Sequence, residues 1–282
     1  MTPPPTGTRL AVWGDPIAHS RSPQLHGAAY AVLGLDWTYE RRRVDAREFD
    51  AALAELGPQW RGLSVTMPLK ERAFSASPTR DRRAELTGAV NTLLLGDEDG
   101  PRGFNTDVGG IVGAFGDRGV ERVEAARVIG AGSTASSAVV ALQEMGARQI
   151  EVVARRPDRA ATLVHLGDAL GTRVSIHPLS GTVGRPVDVT VATLPSGTEL
   201  PGSFADVLAE GGGALLDAAY APWPSHLGTA WERRGGAPIS GVEMLLHQAL
   251  LQVRIFVTGD VEAPLPDEPL ALAAMRAALM GD

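Results

Sequence analysis

Cysteine is absent from all 282 residues, which excludes disulfide frameworks, thiolate zinc sites and a cysteine nucleophile. Lysine is almost absent: of the 26 basic residues only Lys70 is not an arginine, and asparagine occurs only as Asn91 and Asn105. No apolar run approaches the roughly 18 residues needed to span a bilayer, and the opening segment, residues 1–9, lacks the apolar core of a secretory signal. The 6 histidines form no metal-ligand spacing, so no metal is expected. No Gly-x-Ser-x-Gly elbow occurs, which disfavours an α/β-hydrolase. Acidic residues outnumber basic ones 33 to 26, for a formal net charge of −7, which argues against nucleic acid or an anionic membrane as the main partner. What remains is ordinary globular composition, 44% hydrophobic and 21% charged. At roughly 150 residues per domain the length predicts two domains, and the chain reads as a soluble, cytoplasmic protein.

The two scarcities carry chemistry. Arginine keeps its proton above pH ~12 and cannot exchange it in catalysis, whereas lysine can. Asparagine offers a donor and an acceptor on one planar amide, which an ionised aspartate cannot do. A mutational bias toward GC-rich codons accounts for the depletion itself. The positions that resisted it are the informative ones, and all fall between residues 70 and 105.

Apolar spacing alternates strand with helix along the chain. Residues 9–14 read as a strand, 22–33 as a helix with Leu25, Ala29 and Leu33 on one face, 37–44 as a strand, 46–56 as a helix and 62–65 as a strand. Residues 89–95 and 102–104 flank the turn-rich segment 96–100 and read as a hairpin. A second block gives a strand at 127–129, a helix to about Met145, a strand at 149–154, a helix at 157–170 and strands at 187–192 and 213–217. A long amphipathic helix spans 241–257 and a last helix 269–279. The pattern predicts an α/β fold with a mostly parallel sheet and an antiparallel edge.

Gly130-Ala131-Gly132-Ser133-Thr134-Ala135 follows a strand and opens a helix. The first glycine permits a tight turn, the second lets the backbone approach a pyrophosphate, and the small third position lets helix and strand pack. Without a ligand the same run is a tight strand–helix junction. The next strand ends in Arg155-Arg156, with Arg159 one turn on, where an NAD site usually carries an acid. Two guanidiniums suit a 2′-phosphate; the alternative is a solvated basic helix start, which the helix dipole opposes. In Ser20-Arg21-Ser22-Pro23, Ser22 before proline reads as an N-cap. Capping does not explain Ser20, a candidate for a small anionic ligand. Lys70 follows a strand and a proline-containing turn, where α/β folds collect ligands, or else is a surface lysine. Asp107 serves either as a helix N-cap or as a carboxylate that holds the Lys70 ammonium. His19 and His26 flank the serine loop as interior or capping residues.

Taken in order, Gly14-Asp-Pro-Ile-Ala-His-Ser20-Arg-Ser22-Pro23, Val65-Thr66-Met-Pro-Leu-Lys70, Gly88-Ala-Val-Asn91-Thr92, Asn105-Thr-Asp107 and Gly241-x-x-Met244-Leu-x-x-Gln248 resemble the shikimate dehydrogenases. The resemblance covers nearly the whole chain. It implies an oxidoreductase that reversibly reduces 3-dehydroshikimate to shikimate with NADPH, on the route to chorismate and the aromatic amino acids. Carried over position by position, Ser20 and Ser22 hold the substrate carboxylate with Tyr220 contributing. Thr66, Lys70, Asn91, Asp107 and Gln248 bind the ring hydroxyls and the reacting oxygen, and Lys70 and Asp107 form the catalytic pair. The NADP set is Gly130, Ala131, Gly132, Ser133, Thr134, Ala135, Arg155, Arg156 and Arg159, completed by Thr193, Gly241 and Met244.

Because Gln248 lies beyond the dinucleotide fold, the chain is expected to return. Residues 1–106 then form the substrate domain, completed by 240–282, and 107–239 a Rossmann-like NADP domain, with a cleft between them. The chain departs from the family in having Gly132-Ser133 for a common Gly-Gly pair, and Ala154-Arg155-Arg156 for an Asn-Arg-Thr. Two other readings are an NAD-dependent quinate/shikimate dehydrogenase and a non-catalytic, dinucleotide-sensing regulator. The expected partner is the small-molecule substrate, and the expected state a monomer or homodimer.

Overall fold

Leu10, Ala11, Val12 and Trp13 form an unbroken apolar run, and β1 (Arg9–Gly14) is accordingly buried on both faces in the middle of a sheet. The computed structural model describes residues 7–180 and 184–280, apart from the Arg159 side chain, so the expectation for Arg159 lies outside the described residues. The chain divides into two compact units, Met1–Thr106 with Gln248–Asp282, and Asp107–His247.

In the first unit β1 is followed by α1 (Ser22–Val32), β2 (Thr38–Arg43), α2 (Phe49–Ala54), β3 (Trp60–Val65), α3 (Lys70–Ser75), β4 (Thr79–Arg80), α4 (Arg82–Thr87), β5 (Thr92–Leu94) and β6 (Arg102–Phe104). The described strands form one six-stranded sheet in the order β2-β1-β3-β5-β6-β4. β2, β1 and β3 are parallel, while β5 runs antiparallel to both β3 and β6. One face carries the cluster of Ala11, Trp13, Phe49, Leu63, Val65 and Leu69. The α2 helix begins three residues later than the apolar pattern predicts. The Asp45 carboxylate accepts from the Arg47 and Glu48 amides and holds those residues in a turn. Asp81 caps α4 by accepting from Ala84 N–H at 2.7 Å, and Gly88 ends that helix with φ +64°.

The second unit begins with α5 (Asp107–Gly116) and continues through β7 (Ala125–Ile129), α6 (Ser133–Glu144), β8 (Gln149–Ala154), α7 (Ala161–Leu170), β9 (Arg173–Pro178), β10 (Val189–Ala192), α8 (Phe204–Ala209), β11 (Ala214–Asp217), α9 (His226–Arg233) and β12 (Ile239–Ser240). Its described strands form a parallel six-stranded sheet in the order β12-β11-β10-β7-β8-β9, the doubly wound arrangement with its reversal between β7 and β10. The helix expected over 157–170 is split: Pro157–Ala160 is a 3₁₀ turn, and only α7 is α-helical.

The remaining elements are α10 (Gly241–Thr258) and α11 (Glu268–Met280). The return to the first unit falls at Gln248, inside the continuous α10, and not at 240. The first turns of α10 stay with the second unit because the His247 ring fills the space over Gly113 and bonds Asp117 at 2.8 Å.

Candidate active site

In the first unit the pairing register brings the segments that carry the predicted substrate residues to one end of the sheet's strands. Trp13 of β1 lies beside Val65 of the parallel β3, so residues 15–21 and 66–70 leave the sheet at the same end. Thr92 of the antiparallel β5 faces Ser64, and Phe104 of β6 faces Thr92, which brings Asn91 and Thr106 to that end as well. Backbone bonds tie these segments together. Thr66 N–H donates to Trp13 at 2.9 Å, Val65 to Asn91 at 2.8 Å, Asn91 to Phe104 at 3.0 Å, and Val90 to the carbonyl of Lys70 at 3.1 Å. Gly14 has to be glycine, since a Cβ there would strike the Thr66 methyl and lie 3.0 Å from the Met67 carbonyl.

Ser20 and Ser22 meet through their hydroxyls at 3.2 Å, and the Ser22 N–H points at Ser20 Oγ at 3.4 Å. The expectation that Ser22 caps its helix is corrected. Ser22 is the first residue of α1, Arg21 occupies the cap position, and no side chain caps this end. The Ser22 hydroxyl is engaged by Ser20 and by the phenol of Tyr39 instead.

The Asn91 amide is buried and its orientation is fixed. Its oxygen accepts from Thr106 N–H and from the Thr92 hydroxyl, each at 2.9 Å, and its nitrogen donates to Gln248 Oε1 at 3.2 Å. An ionised aspartate has no donor for Gln248, which explains why asparagine is retained here. Asn105, the other asparagine, is scaffolding: its amide donates to Thr87 Oγ1 at 2.8 Å and to the Ala89 carbonyl at 3.1 Å.

One turn beyond Gln248, Gln252 ties the buried polar groups together, a role the sequence reading missed. Its nitrogen donates to Thr92 Oγ1 at 3.1 Å and to the Asn91 carbonyl at 3.4 Å. Its oxygen accepts from Ser64 at 2.9 Å and faces His26 Nε2 at 3.2 Å. An amide oxygen only accepts, so His26 carries its proton on Nε2 and leaves Nδ1 to accept from the Tyr30 hydroxyl, 3.0 Å away. Burial keeps this imidazole neutral and pushes its pKa down to about 3, against the hydrogen bond to Gln252.

In the second unit, parallel strands bring the predicted cofactor residues to one end of the sheet. Gly130 has φ +122°, and its missing side chain leaves room for Thr193, whose hydroxyl and N–H both donate to the Ile129 carbonyl at 3.1 and 2.8 Å. Gly132 caps α6 in an extended conformation, and a Cβ there would meet nothing within 4 Å. That open approach to the start of α6, beside Ser133 and Thr134, fits a pyrophosphate, while Ala135 is buried where helix meets sheet. Ala131 links the two glycines. Arg155 and Arg156 are exposed beyond β8. Gly241 sits where any side chain would run into the Ala218 carbonyl, and Met244 is buried one turn on. Asp107 is the buried first residue of α5, inside the helix and not at its cap.

Tyr220 is half-buried beyond β11. Nearby, the Asp217 carboxylate accepts from Ser225 Oγ at 2.5 Å and from Ala219 N–H at 3.0 Å, and burial pushes its pKa up. The predicted set thus divides. Ser20, Ser22, Thr66, Lys70, Asn91 and Gln248 belong to the first unit, and Asp107, Tyr220 and the NADP residues to the second. Among the described residues no group of three or more His, Asp or Glu side chains is placed to hold a metal, and no helix is long and apolar enough to cross a membrane.

A family profile described as the shikimate dehydrogenase substrate binding domain matches residues 12–93. The chain is 37% identical over 280 residues to the shikimate dehydrogenase (NADP⁺) of Rubrobacter xylanophilus, covering 95% of this chain and 94% of the relative. Among solved structures, the shikimate dehydrogenase of Mycobacterium tuberculosis superposes with a TM-score of 0.84 at 42% identity, covering 96% of this chain and 99% of the other. The shikimate 5-dehydrogenase of Thermus thermophilus, solved in complex with NADP(H) and shikimate, superposes with a TM-score of 0.78 at 32% identity over 96% and 99% of the two chains.

Proposed function

The chain belongs to the shikimate dehydrogenase family, and on that basis we propose that it interconverts 3-dehydroshikimate and shikimate with NADPH and NADP⁺. The observation that carries the reading is that the segments bearing Ser20, Ser22, Thr66, Lys70 and Asn91 leave the sheet at the same end, where the Asn91 amide also bonds Gln248. The substrate is a ring bearing one carboxylate and several hydroxyls. Paired serine hydroxyls are donors suited to the carboxylate, and the Asn91 and Gln248 amides give and accept at once, as ring hydroxyls require. Tyr220 is assigned to the carboxylate as well.

The open approach at Gly132 and the exposed Arg155 and Arg156 fit a dinucleotide with a 2′-phosphate. Gly130, Ala131, Gly132, Ser133, Thr134 and Ala135 would take the pyrophosphate, with Thr193, Gly241 and Met244 toward the nicotinamide. Bound NADPH supplies the hydride. As negative charge develops on the carbonyl oxygen, the Lys70 ammonium stabilises it more in the transition state than in the ground state, and donates the proton that makes the hydroxyl. Asp107 is assigned with Lys70 to the catalytic pair, as the carboxylate partner of the ammonium. The proposal extends to a cytoplasmic monomer or homodimer whose partner is the small-molecule substrate.

The test is turnover of shikimate by the purified chain, followed by the absorbance of NADPH, with NADP⁺ and NAD⁺ compared. Turnover strongly favouring NADP⁺ is expected. Dinucleotide binding without turnover would instead identify a non-catalytic sensor on the same fold.

A further inference from the structure

The serine-bearing loop is gripped from one face of one strand. Along β2, Tyr39, Arg41 and Arg43 alternate with Thr38, Glu40 and Arg42, so each trio points to its own side of the sheet. On one side Glu40 pairs with Arg9 at 3.0 Å and the Arg42 guanidinium lies 5.1 Å over the Trp13 ring, contacts within the sheet's own packing. On the other side all three residues engage the chain between β1 and α1 or the helix start. Arg43 forks onto the Asp15 carboxylate with two bonds of 2.9 Å. Arg41 Nε donates to the Ser20 carbonyl at 2.6 Å. Tyr39 stacks on His26 with ring centres 3.9 Å apart, donates to Ser64 at 2.7 Å and accepts from Ser22.

β2 is an edge strand, and edge strands often carry charge to block strand addition. That purpose asks only for exposed charge. It does not ask for two guanidiniums anchored on the same loop, one at each end.

We propose that Arg41 and Arg43 are positioning residues that hold Ser20 and Ser22 as a preset pair of donors for an anionic group, Arg41 also lending that subsite a positive field. The inference rests on the reading of the two serines as carboxylate ligands. Asp15 fixes the start of the loop and Ser20 its end; between them the Ser20 N–H bond to Ile17, at 3.0 Å, is a local turn that does not fix the loop against the sheet. Neither arginine is assigned a contact with the substrate. They therefore act equally on bound substrate and transition state, which changes KM and leaves kcat nearly constant. Arg41 is exposed, so the field it contributes is screened by salt.

The experiment compares wild type with Arg41→Gln, Arg43→Gln, the double variant and Arg41→Lys. It measures kcat, KM for shikimate and KM for NADP⁺ at low and high ionic strength, with thermal unfolding as a control. In the double variant KM for shikimate should rise about tenfold, the worth of one charge-assisted hydrogen bond. Its kcat and KM for NADP⁺ should stay near wild type, and its KM should respond less to salt. Arg41→Lys should recover part of the loss, since it restores the charge without the planar guanidinium. Hydrogen exchange reads the positioning without turnover: amides of residues 17–22 should exchange about tenfold faster in the double variant, with β1 and β3 unchanged. A shikimate KM within about twofold of wild type together with unaltered exchange overturns the proposal, as does a loss spread equally over kcat and both KM values. If the double variant does not fold, the single variants carry the same test. A wild-type chain that fails to turn over shikimate overturns the functional reading instead, and exchange still decides whether the arginines hold the loop.

Discussion

On the proposed mechanism, position 70 is where the choice between two cations matters chemically. Arginine would keep the charge but not the compact, proton-exchanging ammonium. Lys70→Arg and Lys70→Ala are therefore both expected to lower kcat by about 10²-fold or more, with small changes in KM, as measured by initial rates. Near wild-type kcat in Lys70→Arg would reduce Lys70 to a positively charged binding group. A second residue-scale prediction concerns His26, whose imidazole is fully buried and neutral. Its pKa is about 3 in the folded chain against 6.5 for an unperturbed histidine. Below 6.5 the unfolded chain takes up a proton that the folded chain refuses. Stability should accordingly fall as the pH drops from 6.5 toward 3, by up to about 1.4 kcal/mol per pH unit from this group, and should not depend on it above 6.5. Urea titrations between about pH 7.5 and pH 5 should show this slope in wild type and lose it in His26→Gln. An equal slope in the variant would assign it to other groups. Asp15, whose carboxyl the Arg43 guanidinium holds below the usual range, acts only at lower pH, where its stabilising pair is lost as the pH falls.

Single elements were legible in the sequence to the extent that their own residues define them. The end of β8 is such a case: two arginines stand where an acid would select NAD. Removing both, in an Arg155→Ala, Arg156→Ala variant, should cost NADP⁺ binding on the order of 2–4 kcal/mol and leave NAD⁺ little changed. Competing kinetics with the two dinucleotides check this, and an unaltered preference would release both arginines from the role. Among the buried strands, β1 announces itself as an unbroken apolar run at residues 10–13 and the others as short apolar stretches, interrupted by Arg61 and Ser64 in β3, while α10 and α11 are periodic. β4 is 2 residues long, and β9 at the sheet margin has only exposed and half-buried positions, so neither rises above its surroundings. The short α4 carried its punctuation in Asp81 and Gly88, which the apolar pattern alone did not reveal. The candidate site divides the same way. Lys70 and Asn91 were visible through the scarcity of their residue types, and the glycines through their spacing after a strand. Ser64, Tyr39, Arg41 and Gln252 were not, because each is defined by a partner distant in the chain, as with Ser64 and Gln252, 188 positions apart.

At the scale of the whole molecule, the first unit is built from two separate stretches of chain, and the second stretch is not an accessory. Phe256 fills the space left by Gly62, where any Cβ would collide with its ring, and the Phe256 carbonyl accepts from Arg61 Nε at 2.8 Å. Gln252 satisfies Ser64, Thr92 and His26 inside the unit. The α11 helix packs on α1, burying Ala271, Met275 and Leu279, and its Leu279 carbonyl accepts from Arg21 at 3.3 Å. Deleting residues 248–282 would strand several buried polar groups, at about 1–3 kcal/mol each, and uncover an apolar sheet face. Those losses together reach the whole stability of an ordinary domain, about 5–15 kcal/mol. The segment 1–106 alone should therefore give no cooperative unfolding transition in urea, although it contains every strand of its sheet. A permuted chain in which 248–282 precedes 1–106 through a flexible Gly/Ser linker should regain one, since the linker costs little closure entropy. The decisive comparison is circular dichroism against urea for the two polypeptides. A cooperative transition in 1–106 alone would mean that the sheet and its α2-side core suffice, and that the returning helices serve only to carry Gln248.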